Sequence, residues 1–328
     1  MPYARIAVLG AGAWGSALAL AAHAAGRQVT LWVREPEVLA ALQAGKANPF
    51  LPEIALPNDL AFTGDLGEAA QAQALLLVVP AQVLHGFART LKPHLKSGTP
   101  LVICAKGIEK DSGKLVHEIL AEEIPDCVPA ILSGPSFARD VAKGLPTAVT
   151  IAADDSVAAR LQQSLSSPWF RPYVSDDIAG VALGGAAKNV YAIACGVVEG
   201  LGLGENARAA LLARSFAELA RLGEALGARR ETLMGLSGLG DLVLTATSKS
   251  SRNFSFGVAV GQGQSLADLN APGHPLAEGV DTAPALVKRA RALKVELPIA
   301  EGVADLLSGA LPVGEAMLRL MSRKLKAE

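Results

Sequence analysis

Residues 5–15 read Arg-Ile-Ala-Val-Leu-Gly-Ala-Gly-Ala-Trp-Gly, a run of five residues suited to a buried strand followed by Gly10-x-Gly12-x-x-Gly15 and an Ala-rich stretch. Glycine spacing of this kind is a weak signal alone, because Gly-rich turns are common. Between a strand and a helix it is the turn that seats a dinucleotide pyrophosphate on a helix N-terminus. Gly10 then makes the tight turn, Gly12 lets the backbone approach the phosphates, and Gly15 lets the helix lie close to the strand. A purely structural strand–helix turn is the plainer alternative.

Working outward, further candidate strands fall at 28–33, 75–79, 101–105, 130–132 and 148–152, with an added edge strand at 170–174. Several are apolar on both faces and alternate with Ala-rich helical stretches, which predicts a doubly wound α/β parallel sheet. After about residue 180 the strand signals stop and stretches such as 206–226 and 282–293 repeat apolar residues at helical spacing. The expected organisation is a dinucleotide-binding domain over 1–180 and an all-helical domain over 181–328, abutting at a cleft.

The second strand ends at Arg34, where an acidic residue would bind a ribose 2′-hydroxyl. Arginine suits a 2′-phosphate or stacking on adenine, so NADP(H) is favoured and NAD(H) stays open, with Glu35 adjacent; a solvated strand-end charge is the bland reading. Ligands of open α/β sheets bind beyond the carboxyl ends of the strands. There the chain places Lys106, then Gly134 and Ser136.

The 21 residues 178–198 contain one charged side chain, Lys188, followed by Asn189. A helix from about residue 186 would put Val190, Ile193, Ala194, Val197 and Val198 on one stripe and Lys188 roughly opposite, in the first turn, with both faces buried. Burial and the positive helix end would lower its pKa and make it a general acid/base. A lysine snorkelling to water is the alternative. Asp241, flanked by apolar residues, needs a partner, and such a lysine would serve. Ser251, Arg252 and Asn253 open another helical stretch and form a candidate anion site.

Composition narrows the classes. The chain has 328 residues, 51% hydrophobic and 19% charged, with a net charge of -1, so a large core is available and no nucleic-acid partner is indicated. Cys104, Cys127 and Cys195 form no CxxC and leave an odd thiol, which favours a reducing cytoplasm. A strand starting near Arg5 leaves no room for a signal peptide. Residues 178–198 are long enough to span a bilayer, yet Lys188 and Asn189 at the centre argue against membrane insertion. The absence of HExxH or Cys/His ligand spacing argues for no metal.

Taken in order, GAGAWG (10–15), NPFLP (48–52), CAKGIE (104–109), LSGPSFARDVAKGLPTAV (132–149), GGAAKNVYAIACG (184–196), GLGENARAAL (202–211), GLSGLGDLVLT (235–245) and SRN (251–253) resemble the bacterial NAD(P)-dependent glycerol-3-phosphate dehydrogenases over nearly the whole chain. The resemblance implies a Rossmann-like sheet followed by an all-α domain like the C-terminal part of 6-phosphogluconate dehydrogenase. It also implies that Ala13, Trp14, Arg34, Lys106, Ala138, Arg252, Leu276 and Glu278 join the glycines around the cofactor. Lys106, Gly134, Ser136, Lys188, Asp241, Ser251, Arg252 and Asn253 would contact the substrate, with Asn189 and Thr245 completing the set and Lys188 as the catalytic acid/base. Three positions depart from the family pattern: Ala13 replaces a usual serine, Ala182 a usual glutamate, and Phe254-Ser255 a more basic pair. The reaction implied is reversible hydride transfer between NAD(P)H and dihydroxyacetone phosphate, feeding glycerophospholipid synthesis. A homodimer is compatible with it. A related Lys-Asn dehydrogenase of a 2- or 3-hydroxy acid, and a non-catalytic NAD(P) sensor, are the alternatives.

Overall fold

The computed structural model describes residues 1–271, 276–316 and 322. Eight strands form one sheet: β1 (Arg5–Leu9), β2 (Gln28–Trp32), β3 (Ala61–Thr63), β4 (Ala74–Leu77), β5 (Pro100–Ile103), β6 (Val128–Ser133), β7 (Thr147–Ala152) and β8 (Phe170–Ser175). Their spatial order is β3-β2-β1-β4-β5-β6-β7-β8. The order reverses at β1, where chain segments leave in opposite directions along the sheet, and such a switch point opens a crevice at the carboxyl ends. Every pairing is parallel except β6 with β7, where Leu132 faces Ile151. The doubly wound sheet is therefore as expected, with one antiparallel step.

The strands form where the sequence is apolar on both faces. All four residues of β4 and of β5 are buried, as parallel strands covered by helices require. Burying Leu75, Leu76 and Leu77 contributes about 1.5–3 kcal/mol each before ordering entropy is charged against it. The core on one face joins Ile6, Val8, Leu18, Leu31, Leu76 and Val102. Strand β3, which the sequence pattern does not reveal, has three residues and exists through pairing with β2, where Leu31 faces Phe62. A strand so short carries no periodic signal.

Contacts divide the chain into two units, one of Met1–Ala105 with Leu115–Ala182, the other of Lys106–Lys114 with the chain from Leu183 onward. This differs from the contiguous 1–180 and 181–328 expectation in the placement of Lys106–Lys114. The cause is a set of polar ties. Lys106 pairs with Asp241, Lys110 lies 3.4 Å from Asp281, and Lys288 donates to the Asp111 carbonyl at 2.8 Å.

Among its described residues the second unit contains no strand. Its central helix is Ile178–Gly200, in which the division between units falls. By length and composition this helix could cross a membrane, but 94% of its most apolar window is buried inside the protein. It crosses the helix Arg252–Gly261 backbone to backbone. A Cβ on Gly196 would stand 2.1 Å from the Phe254 carbonyl oxygen, and one on Gly257 2.1 Å from that of Ile193. One turn further on, a Cβ on Gly200 would meet Val258 O at 2.3 Å and one on Gly261 would meet Val197 O at 2.5 Å. No side chain fits at those four positions, so glycine sets the crossing and carries the Ser251–Asn253 turn to the flank of the central helix.

Candidate active site

Lys188 lies in the middle of the helix Ile178–Gly200, not in its first turn. The positive helix end therefore does not act on it. The helix does not start near residue 186 as expected: Gly184 and Gly185 are interior helical residues. A Cβ on Gly184 would come 2.7 Å from the Ser237 carbonyl oxygen, so that glycine serves a close approach rather than a helix start. The helix is buried on all sides at this level: Val190, Ala192, Ile193 and Cys195 are fully covered and Lys188 is 7% exposed.

The buried ammonium is met by Asp241. Lys188 Nζ donates to Asp241 Oδ1 at 2.6 Å and to Thr245 Oγ1 at 2.9 Å. Asp241 and Thr245 sit one turn apart on the helix Asp241–Thr247, so both reach the same spot. A π-helical turn, Leu236–Gly240, leads into that helix, and such turns concentrate at functional sites. Lys106 Nζ donates to the other carboxylate oxygen, Oδ2, at 2.7 Å. One carboxylate, 1% exposed, thus sits between two lysines.

Two lysines share the Asp241 carboxylate, and the charge of Glu278 also acts on Lys188. Burial pulls the Lys188 ammonium down to about 8, Asp241 opposes that, and the Lys106 charge reinforces it. Burial pushes the Asp241 carboxyl up, but Lys106 and Lys188 together hold it below its usual value. Burial raises Glu278, against the pull of Arg252, Lys188 and Lys106. A lysine that exchanges its proton near neutral pH is competent as an acid or a base.

A chain of amides locks the surroundings. Asn189 Nδ2 donates to the Lys106 carbonyl at 2.9 Å, Asn253 Nδ2 donates to Asn189 Oδ1 at 2.9 Å, and Asn253 Oδ1 accepts from Gly279 N at 2.9 Å. Four segments of the second unit converge there. Sequence reasoning paired Asp241 with Lys188 but missed Lys106 on the same carboxylate, and it missed the Asn189–Asn253 link. Charge balance signalled the first; nothing in a linear sequence signals contacts across 135 and 64 residues. Ser251 caps the helix Arg252–Gly261 by accepting from Phe254 N at 3.2 Å, and no acidic residue occupies that helix's first turn. Arg252 and Leu276 are exposed.

The first unit holds the other predicted residues. The helix Ala13–Ala24 starts after Gly12 with no side chain capping it and no acidic residue in its first turn, a helix N-terminus of the kind that suits an anion. Gly10 has φ 125° and a Cβ there would stand 2.4 Å from Val78 O. Around Gly12 no atom lies within 4 Å of a would-be Cβ, which leaves the approach a pyrophosphate needs. Trp14 Nε1 is buried without a hydrogen-bond partner. These features fit a dinucleotide. Arg34 is bound by its neighbour, Nε to Glu35 Oε1 at 2.9 Å. Ser136 Oγ donates to Gly134 O at 2.9 Å, and Ala138 starts a short helix, Ala138–Ala142.

A phosphate-seating turn on one unit and a lysine poised to trade a proton on the other are what a nicotinamide-dependent dehydrogenase of a secondary alcohol requires, and fold and site place the chain in that class. Comparison with known proteins narrows it. Residues 5–159 match the model of the NAD-dependent glycerol-3-phosphate dehydrogenase N-terminus and residues 177–318 that of its C-terminus. The chain is 52% identical over 330 residues to the glycerol-3-phosphate dehydrogenase [NAD(P)+] of Parvibaculum lavamentivorans, covering 100% of this chain and 99% of the relative. It is 55% identical over 324 residues to that of Bradyrhizobium sp., covering 98% of each. The crystal structure of glycerol-3-phosphate dehydrogenase from Coxiella burnetii superposes with a TM-score of 0.93 at 37% identity, covering 98% of this chain and 99% of that one. The chain belongs to the NAD-dependent glycerol-3-phosphate dehydrogenase family.

Proposed function

We infer that the protein catalyses reversible, NAD(P)(H)-dependent interconversion of dihydroxyacetone phosphate and sn-glycerol 3-phosphate, supplying the latter for glycerophospholipid synthesis. The observation that carries this reading is the single buried carboxylate of Asp241 holding both Lys188 and Lys106. Bound NAD(P)H supplies the hydride that reduces C2. The cofactor would be held by Gly10, Gly12, Ala13, Trp14 and Gly15 around the phosphates, by Arg34 at the adenosine end, and by Lys106, Ala138, Arg252, Leu276 and Glu278. Arg34 favours a 2′-phosphate, so NADP(H) is preferred and NAD(H) is also used.

Lys188, as ammonium, polarises the C2 oxygen and protonates the forming alkoxide; in the reverse direction the neutral amine takes the proton back. Asp241 and Thr245 hold Nζ in place. Ser251, Arg252 and Asn253 at a helix start bind the phosphate, where N–H groups and guanidinium act together. Gly134, Ser136 and Asn189 complete the substrate set. The three free thiols support a cytoplasmic setting, and the substrate is a free phosphorylated triose, without nucleic acid or membrane insertion. A homodimer suits this reading and is checked by sedimentation.

The deciding experiment follows NADPH and NADH oxidation with dihydroxyacetone phosphate beside a panel of 2-keto acids. Turnover of the triose phosphate is expected; turnover of a keto acid alone overturns the reading.

The pH profile follows from the direction of the Lys188 shift. The acid form is needed for reduction, so kcat/KM for dihydroxyacetone phosphate should be level below pH 8 and fall about tenfold per unit above it, since the free-enzyme value is about 8. Oxidation of glycerol 3-phosphate needs the amine and should rise across the same interval. A reduction profile flat to pH 10 would remove Lys188 from the role.

A further inference from the structure

Asn48 begins the NPFLP run, to which the chemistry above gives no task. It is fully buried, and its amide is fully used. Nδ2 donates to the Ala11 carbonyl at 2.8 Å and to Ser16 Oγ at 2.8 Å, and Oδ1 accepts from Phe50 N at 2.9 Å. Ala11 lies between Gly10 and Gly12, in the middle of the phosphate turn. Ser16, also fully buried, makes the first backbone bond of the following helix, from its N–H to Gly12 O at 3.0 Å.

A turn built on Gly10 and Gly12 is conformationally permissive, because neither residue has a side chain to restrict its backbone. Local sequence therefore does not fix where its N–H groups point. Asn48 reaches in from residues 44–60, which join the helix Pro36–Gln43 to β3 with no regular element. Connections of that length inside a domain generally have a function. This one is held down by buried Leu51 and by an ion pair between Glu53 and Arg139.

We propose that Asn48 is a positioning residue for the cofactor: by clamping the Ala11 carbonyl to the Ser16 hydroxyl it sets the direction in which the turn presents its N–H groups to the pyrophosphate. The proposal rests on the cofactor reading above. Losing both donors leaves the turn free to sample conformations that do not bind, and affinity falls by the fraction that remains competent.

The test measures NADPH dissociation constants by fluorescence without substrate, and melting without cofactor, for the wild type, Asn48→Ala and Leu51→Ala. Leu51 is buried in the same segment, and its side chain offers the turn no hydrogen bond. Asn48→Ala is expected to weaken NADPH binding about tenfold, the equivalent of one or two buried hydrogen bonds. Its KM for NADPH should rise alike, with kcat at saturating NADPH within about twofold of wild type. Leu51→Ala should lower the melting temperature while its affinity stays within about twofold, as loss of buried contact alone predicts. If Asn48→Ala does not fold, Asn48→Ser takes its place in the same comparison. Equal loss of affinity in the two variants, or unchanged affinity in the Asn48 variant, overturns the proposal. A wild type that binds neither NADPH nor NADH overturns the cofactor reading and this proposal with it.

Discussion

Lys188→Ala should lower kcat for dihydroxyacetone phosphate reduction by about 10²–10⁴-fold, the usual contribution of a general acid. That corresponds to about 2.7–5.4 kcal/mol of activation free energy. On the mechanism proposed, the variant loses the donor to the C2 alkoxide, and neither neighbour replaces it: Lys106 is already bound to the far oxygen of Asp241, and Thr245 is a hydroxyl with no excess proton to give. The fold should survive, because Asp241 keeps Lys106 as counter-ion when Lys188 is gone. Lys188→Met, which fills the space without the charge, is the control for packing. NADPH affinity should be nearly unchanged in both, since Lys188 is not among the residues proposed to hold the cofactor. Stopped-flow turnover within about threefold of wild type would remove the general-acid assignment.

Asp241→Asn should be the most destabilising polar substitution in the site. The change is isosteric, but it deletes the carboxylate that buried Lys188 and half-buried Lys106 both contact directly. Breaking a buried pair from one side costs about 3–5 kcal/mol, because the remaining charge is left uncompensated. For a unit of this size that is a fall in Tm of about 10 °C. The Lys188 pKa should drop further, so the basic limb of the reduction profile moves to lower pH. Relief should come from a second change: Lys106→Met added to Asp241→Asn removes one of the two repelling charges and should recover part of the lost Tm. A single variant that melts within about 2 °C of wild type, with its limb unmoved, would mean the carboxylate is not the counter-charge.

The parts of the molecule that could be read from the sequence are those encoded locally. The strand–turn–helix at residues 5–24 declares itself because pattern, glycine spacing and context lie within one window. The same holds for the helix that opens at residues 251–253. Asp241 was traceable to Lys188 by charge balance, since a carboxylate among Leu239, Leu242 and Val243 must have a partner. Three things were not legible. The start of the lysine helix at Ile178 rather than near residue 186 has no local mark, since a glycine such as Gly184 that admits a neighbouring backbone looks the same in sequence as one that ends a helix. Strand β3 depends on its neighbour rather than on its own residues. The position of Lys106 on Asp241, and with it the membership of Lys106–Lys114 in the second unit, is a tertiary fact with no local signature.

The glycine-to-glycine crossing of Ile178–Gly200 and Arg252–Gly261 has a consequence for motion. Packed helices ordinarily slide or rotate slightly because side chains between them can change rotamer. Here the two backbones touch at Gly196, Gly200, Gly257 and Gly261, and no side chain lies between them to yield. The joint behaves as a dovetail, in which a small slip in register brings carbonyl oxygens into collision. Lys188 lies two turns before the joint, and Arg252 one turn before it on the partner helix, so both are carried by backbones that cannot slip past each other there. The proposed proton donor and the proposed phosphate anchor thus stand on backbones locked in register, and adjustment to the substrate falls to their side chains.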